Sequence, residues 1–261
     1  MQNDTMIIIP TMRKPPLVTL EAYDVENFQT VVLCDPSVYK DHENLYTHEP
    51  TITVRAGRSG AGAQIFASYQ LAAQLGFKWW VKFDDDLPEK TFIGIDEGDY
   101  PDLGTVITYL RECVETTGTT LSGLQNSTNR YWMNDEYKRT YGLLSGGACL
   151  ACATENANQF IDPELKAICD VYRSLSHRKK DKAVGRVGFV GLDKSLHTGT
   201  GSTFDKLKQK DWDYSRNTIL ERFSGMVTCK GYREILGGSR VIPNWRLKQG
   251  GCFISSDDYD R

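Results

Sequence analysis

The sequence predicts an α/β fold with a mainly parallel central sheet, on three observations. Short β-branched runs alternate with segments of helical periodicity. A glycine-rich turn at residues 55–62 joins one such run to one such helix. Another run, Trp79–Phe83, ends directly in three consecutive aspartates, Asp84, Asp85 and Asp86. In an open α/β sheet that is where ligands gather. The chain of 261 residues suits one undivided domain, and no repeat, low-complexity tract or linker breaks it.

The elements follow in order. Residues 6–9 are a β-branched run that Pro10 stops, which predicts a buried strand. Thr30–Cys34 is a second strand, closed by the turn residues Asp35, Pro36 and Ser37. Residues 51–54 are a third. A helix is expected over 63–75, where Ile65, Phe66, Tyr69, Ala72 and Ala73 share a face, and Gly76 ends it. Residues 101–117 predict another helix through Leu103, Val106, Ile107, Leu110 and Val114. Residues 121–124 and 141–144 predict strands around a turn near Asn129. Residues 145–152 are small and apolar, open to close approach by backbone or ligand. Residues 154–172 predict a helix interrupted by Pro163, residues 177–182 a basic loop, and residues 198–203 a flexible one.

Composition sets limits. Hydrophobic residues make up 40% and charged residues 25%, the balance of a folded soluble protein rather than a disordered one. No apolar stretch is long enough to span a membrane. The first ten residues lack the basic and apolar regions of a signal peptide. Seven scattered cysteines suit free thiols and a cytoplasmic setting. Cys149 and Cys152 have no second pair at zinc spacing and read as core thiols. The net charge of -3 is unevenly divided: residues 1–160 hold 12 Lys+Arg against 21 Asp+Glu, and residues 161–261 hold 19 against 13. That asymmetry leaves two readings, an acidic partner for the second half or a lysine-rich solvated surface.

The aspartate triplet is the sharpest chemical feature. Three adjacent carboxylates repel one another unless solvated, paired or neutralised by a cation. Asp84 and Asp86, at alternate positions, would share a hard divalent ion. The competing reading is an acidic turn that caps the next segment. Arg55 and Arg58 flank the glycine turn and suit a diphosphate, or else a salt bridge to the triplet. Residues 57–62 lack both the lysine of a P-loop and the spacing of a dinucleotide fingerprint.

In this order the segments resemble the GT-A glycosyltransferases, nucleotide-sugar transferases built on a single Rossmann-like domain. Residues 7–11 resemble their first strand and nucleotide turn, 31–37 the second strand with its acidic end, and 58–64 the segment before the metal site. Asp84, Asp85 and Asp86 fall at the Asp-x-Asp motif. Gly146 and Gly147 resemble the glycine pair near donor sugar and acceptor. Asp193 follows Gly147 by 46 residues, near the position of the catalytic base in inverting members, although Leu192 replaces the first residue of their Glu-Asp pair.

The resemblance implies that a Mn2+ or Mg2+ ion is held by Asp84 and Asp86, with His197 as a third ligand or simply a surface histidine. It implies Asp85, Thr11, Arg13, Asp35, Arg55, Arg58, Gly146 and Gly147 as contacts to a UDP-sugar donor. Asp193 would be the base or a helix N-cap, with Asp211 and Asp213 next in line. Residues 1–150 would bind the donor and 151–261 the acceptor. Compact size, no targeting signal and a basic second half also look like the phage TET/JBP-associated glycosyltransferases, which implies hydroxymethylated DNA as acceptor. Arg178, Lys179, Lys180, Lys182, Arg240, Arg246 and Lys248 would then meet phosphates. Trp212, Tyr214 and Trp245 would stack on an extruded base or pack in the core. A polysaccharide or small-molecule glycosyltransferase is the rival acceptor class, and a metal-dependent nucleotidyltransferase the rival reaction.

Overall fold

The computed structural model describes residues 4–48, 50–144, 147–193, 207–235, 240–249 and 252–255. Its core is a ten-stranded mixed sheet. The first strand, β1 (Thr5–Thr11), lies at its centre between β2 (Thr30–Cys34) and β5 (Trp79–Phe83), parallel to both. Every residue from Thr5 to Ile9 is buried, with Met6 and Ile8 in one core cluster and Ile7 and Ile9 in the other. An unbroken apolar run is what a strand covered on both faces requires. The expected stop at Pro10 is corrected: β1 continues to Thr11, because pairing with β5 ends at Ile8 and the missing N–H faces that side.

Outward from β2 come β4 (Thr51–Arg55), parallel, and β3 (Thr47–His48), antiparallel. On the other side β9 (Ala148–Cys152) runs antiparallel between β5 and β7 (Leu121–Gln125). Beyond them β10 (Val184–Leu192) is parallel to β7, and β6 (Phe92–Gly94) and β8 (Tyr137–Thr140) flank it antiparallel. Strands β4, β2, β1, β5, β7 and β10 therefore share one direction.

Helices cover both faces. On one lie α3 (Ala61–Gln74), α5 (Cys169–Asp181) and α6 (Gln209–Arg222), through Ile65, Tyr69, Tyr172, Leu175 and Ile219. On the other lies α4 (Leu103–Thr117), which Asp102 caps by accepting from the Thr105 N–H at 2.7 Å. The short α1 (Val18–Ala22) and α2 (Tyr39–His42) sit in loops after β1 and β2. A second sheet, β11 (Val227–Ile235), β12 (Arg240–Gln249) and β13 (Cys252–Ser255), is antiparallel. Its Val227, Trp245 and Leu247 join the core cluster of α5 and α6.

Three local expectations are corrected. Residues 141–144 form no strand, because side chains take their backbone groups. Thr140 accepts from the Gly142 N–H, Ser174 from the Leu144 N–H, and Asn126 and Arg186 donate to the Leu143 carbonyl. Residues 154–168 are turns and one 3-10 segment, Ala157–Gln159, since Asp162 bonds the Glu164 N–H around Pro163. Residues 177–181, expected as a basic loop, close α5, where Arg178, Lys179 and Lys180 suit the helix dipole. The expected loop at 198–203 lies outside the described residues.

Candidate active site

The six co-directional strands bring their carboxyl ends to one edge of the sheet. Thr11 and Arg13 follow from β1, Asp35 from β2, Arg55 and Arg58 from β4, the aspartate triplet from β5 and Asp193 from β10. Residues spread over more than half the chain meet there because of strand direction alone.

The triplet is partly neutralised within the protein by two cations, Lys82 and Arg13. Lys82, two residues before Asp84 and on the same face of β5, pairs with the Asp84 carboxylate. Burial is the strongest influence and pulls the Lys82 ammonium towards neutrality, but the Asp84 charge, Cys149 and the Asp84 hydrogen bond together outweigh it and the pKa lies above its ordinary value. Arg13 donates to Asp86 Oδ2 at 2.6 Å and sits 3.6 Å from Asp85 Oδ1. Asp85 is 12% exposed and accepts from the Thr11 hydroxyl at 2.5 Å. Burial pushes its pKa up to about 6, with the neighbouring Asp86 and Asp84 charges adding to the rise and Thr11 and Arg13 opposing it.

Thr19 on α1, fully buried, holds the loop from below. Its hydroxyl donates to the Asp84 carbonyl at 2.5 Å and accepts from the Leu87 N–H at 2.9 Å. Lys82 was legible in the sequence from the period of two along an apolar strand. Thr19 carried no local signal, being 65 residues from its partner.

The structure gives Asp35 an internal role. It is fully buried, with Oδ2 accepting from Ser59 and the Gly60 N–H and Oδ1 accepting from Ser37. Burial raises its pKa, but these hydrogen bonds together hold it below the ordinary value. Its carboxylate thus pins the glycine turn to β2. The turn needs its glycines: Gly60 has φ +113°, and a Cβ at Gly62 would lie 2.4 Å from the Leu165 carbonyl oxygen. Arg58 pairs with Glu164, so the expected link to the triplet belongs to Arg13 instead. Arg55 is exposed at the end of β4.

Three strand ends close on one another around Gly147. Its carbonyl accepts from the Asp84 N–H at 3.0 Å. A Cβ there would lie 2.3 Å from Leu192 Cδ2 and 3.3 Å from Asp84 Oδ2. The next residue, Asp193, is fixed by its N–H bonding the Thr91 carbonyl at 2.8 Å. Gly146 and His197 lie outside the described residues. Asp211 and Asp213 belong to α6, where Asp211 meets Lys166 and Asp213 accepts from Tyr232. Trp212 and Trp245 are 8% and 4% exposed and pack in the core, leaving Tyr214 as the accessible ring of the three.

Asp84 and Asp86 are hard oxygen donors of the type Mg2+ and Mn2+ take, and they are 39% and 21% exposed. Lys82 and Arg13 stand where that charge demands a cation. Among the described residues no three His, Cys, Asp or Glu side chains close around a point. The donor set therefore fits an ion shared with phosphate oxygens and water, not a closed protein cage. No helix of the described residues is long and apolar enough to cross a membrane.

No family model matches the chain, and no curated relative does. Among solved structures it is similar to S. aureus TarS 1-349, at 13% identity and TM-score 0.47, over 85% of this chain and 72% of that one. A second S. aureus TarS structure aligns at 9% identity and TM-score 0.46, over 97% of this chain and 60% of that one. A197 from STIV aligns at 12% identity and TM-score 0.36, over 71% and 82%. Each TM-score is below 0.5, so these likenesses carry no argument about activity. The functional reading rests on the chain's own residues.

Proposed function

We propose that this chain is a glycosyltransferase that takes a sugar from a nucleotide-sugar donor, a UDP-sugar first among them. The observation that carries the reading is the meeting at one sheet edge of a carboxylate triplet, an arginine, a closely packed glycine and a second acidic strand end. The donor would lie over the carboxyl ends of β1 and β5, with its diphosphate beside Arg13. A guanidinium forks well onto phosphate, so Arg13 would exchange Asp86 for the diphosphate as the donor arrives. Gly147, with no side chain, would let Leu192 and Asp84 close together beside the donor.

Asp193 would take the proton of the acceptor hydroxyl as that oxygen bonds to the anomeric carbon and the nucleoside diphosphate leaves. When bound by Asp84 and Asp86, Mn2+ or Mg2+ would supply Lewis-acid stabilisation to the leaving group. Residues 1–150 would thus bind the donor, and 151–261 would bring the base and meet the acceptor.

Hydroxymethylated DNA as acceptor drew on the basic second half. The cations of α5 lie elsewhere: Asp181, at its end, bonds the Thr120 N–H and hydroxyl just before β7 begins, at the amino edge of the sheet. Lys179 and Lys180 belong to that end, and Arg178 is buried, bonding the Tyr141 and Lys248 carbonyls. The charge asymmetry therefore gives little support to a polyanion at the carboxyl edge, and a saccharide or small-molecule acceptor fits better. Thermal unfolding with a panel of UDP-sugars, with and without manganese, tests the donor: a rise in Tm for one sugar nucleotide is expected, and none for any would overturn the reading.

A further inference from the structure

Two large aromatic side chains stand out on the surface of the carboxyl edge. Tyr131 is 80% exposed and Trp132 is 39% exposed, with ring centroids 4.7 Å apart and edge to face. They project from a 3-10 turn, Arg130–Trp132, just past the end of β7. The turn is firmly tied. Asn129 Oδ1 accepts from the Tyr131 N–H at 3.0 Å, Gln125 donates to the Trp132 carbonyl at 2.7 Å, and Arg130 donates to the Asp96 carbonyl at 3.0 Å. Met133, buried, anchors the next position. A turn this well fixed that leaves two aromatic rings in water is displaying them.

Glycines in β10 bring this turn beside the candidate base. A Cβ at Gly191 would lie 2.6 Å from the Ser127 carbonyl oxygen, and one at Gly188 would lie 2.4 Å from Asn134 Oδ1. The segment carrying the two rings therefore lies against β10, within two residues of Asp193. Charge selects the occupant. Residues 95–102 and 126–136 hold six carboxylates, including Asp96, Asp99 and Glu136, against Arg130 alone. Such an edge repels a polyanion.

We infer that Tyr131 and Trp132 form an acceptor subsite that stacks the apolar C–H face of a neutral saccharide ring. The subsite's place in the reaction rests on the glycosyltransferase reading, while the binding itself does not. An aromatic face carries partial negative charge and meets C–H groups favourably. The sugar hydroxyls stay at the ring edge, free to reach polar neighbours, and no charged contact is needed.

Intrinsic fluorescence titration without any donor tests it, using maltohexaose, cellohexaose, chitohexaose and a short single-stranded DNA. At least one saccharide should bind the wild type, with an affinity that salt does not change. Tyr131→Ala and Trp132→Ala should each weaken it about tenfold, and Tyr131→Phe, which keeps the ring, should not. Because Tyr131 is so exposed, its substitution leaves the fold unstressed. The inference is overturned if no saccharide binds, if binding survives both alanine variants, or if only the DNA binds. UDP-sugar binding measured in parallel tells a failed subsite from a failed transferase: donor without saccharide sinks the subsite alone, and saccharide without donor sinks the transferase alone.

Discussion

Asp85 is the most enclosed carboxylate of the triplet and gives the site a pH dependence. Its folded pKa is about 6 against an ordinary 3.8, raised first by burial. A raised carboxylate pKa means that the folded state holds the proton more tightly. Stability from this group is therefore full below pH 3.8 and is lost as pH rises through about 6. The loss amounts to roughly 2–3 kcal/mol. Asp85→Asn should raise Tm at pH 8 and leave it nearly unchanged at pH 4. Equal changes at both pH values would mean that ionisation is not the cause. Asp193 carries a prediction of another kind. As the proposed base, it would act on the acceptor proton alone, so Asp193→Ala should cut turnover by about 10²–10⁴-fold with donor affinity kept. Near-normal turnover, measured by sugar transfer, would move the base elsewhere.

At the scale of elements, α5 joins the sheet through a buried histidine. Both ring nitrogens of His177 meet hydroxyls, Tyr69 at 2.7 Å and Thr120 at 2.8 Å, so the neutral ring is satisfied. Burial first, then the charges of Arg173 and Lys180, push its pKa well below 6.5. A depressed histidine pKa costs stability as pH falls below the unfolded value near 6.5, since only the unfolded chain then takes up the proton. Tm should therefore drop further between pH 7 and pH 5 in the wild type than in His177→Gln; parallel slopes would contradict this. The sequence disguised α5 because His177 to Lys180 read as a solvated charge run, whereas its first residues bond into the core. Strands β2 and β5 were legible to their ends, as short runs rich in β-branched and aromatic residues that Asp35 and Asp84 close. Strand β10 was not, because its three glycines, at 185, 188 and 191, dilute the apolar signal while serving close packing. The second sheet hid for another reason: its strands mix charged and apolar residues without clean alternation.

At the scale of the whole molecule, the site is a product of strand direction. The triplet was legible because acid after an apolar strand is conspicuous in any sequence. The partnership of Arg13 with Asp85 and Asp86 was not, since it crosses about 70 residues and needs β1 and β5 to be neighbours. The same geometry recast Asp35, whose carboxylate holds the glycine turn. The central claim is that Asp84 and Asp86, beyond pairing with Lys82 and Arg13, serve the donor. Arg13, the partner of Asp86, is 35% exposed, so Asp86→Asn should fold with a Tm close to that of the wild type. Asp84→Asn takes the counter-charge from Lys82, which is only 13% exposed, and should fold with a lowered Tm. The most direct measurement is release of UDP from a UDP-sugar in the presence of manganese, compared across the wild type and these two variants. The account predicts turnover in the wild type and its loss in both folded variants; wild-type turnover in both would contradict it.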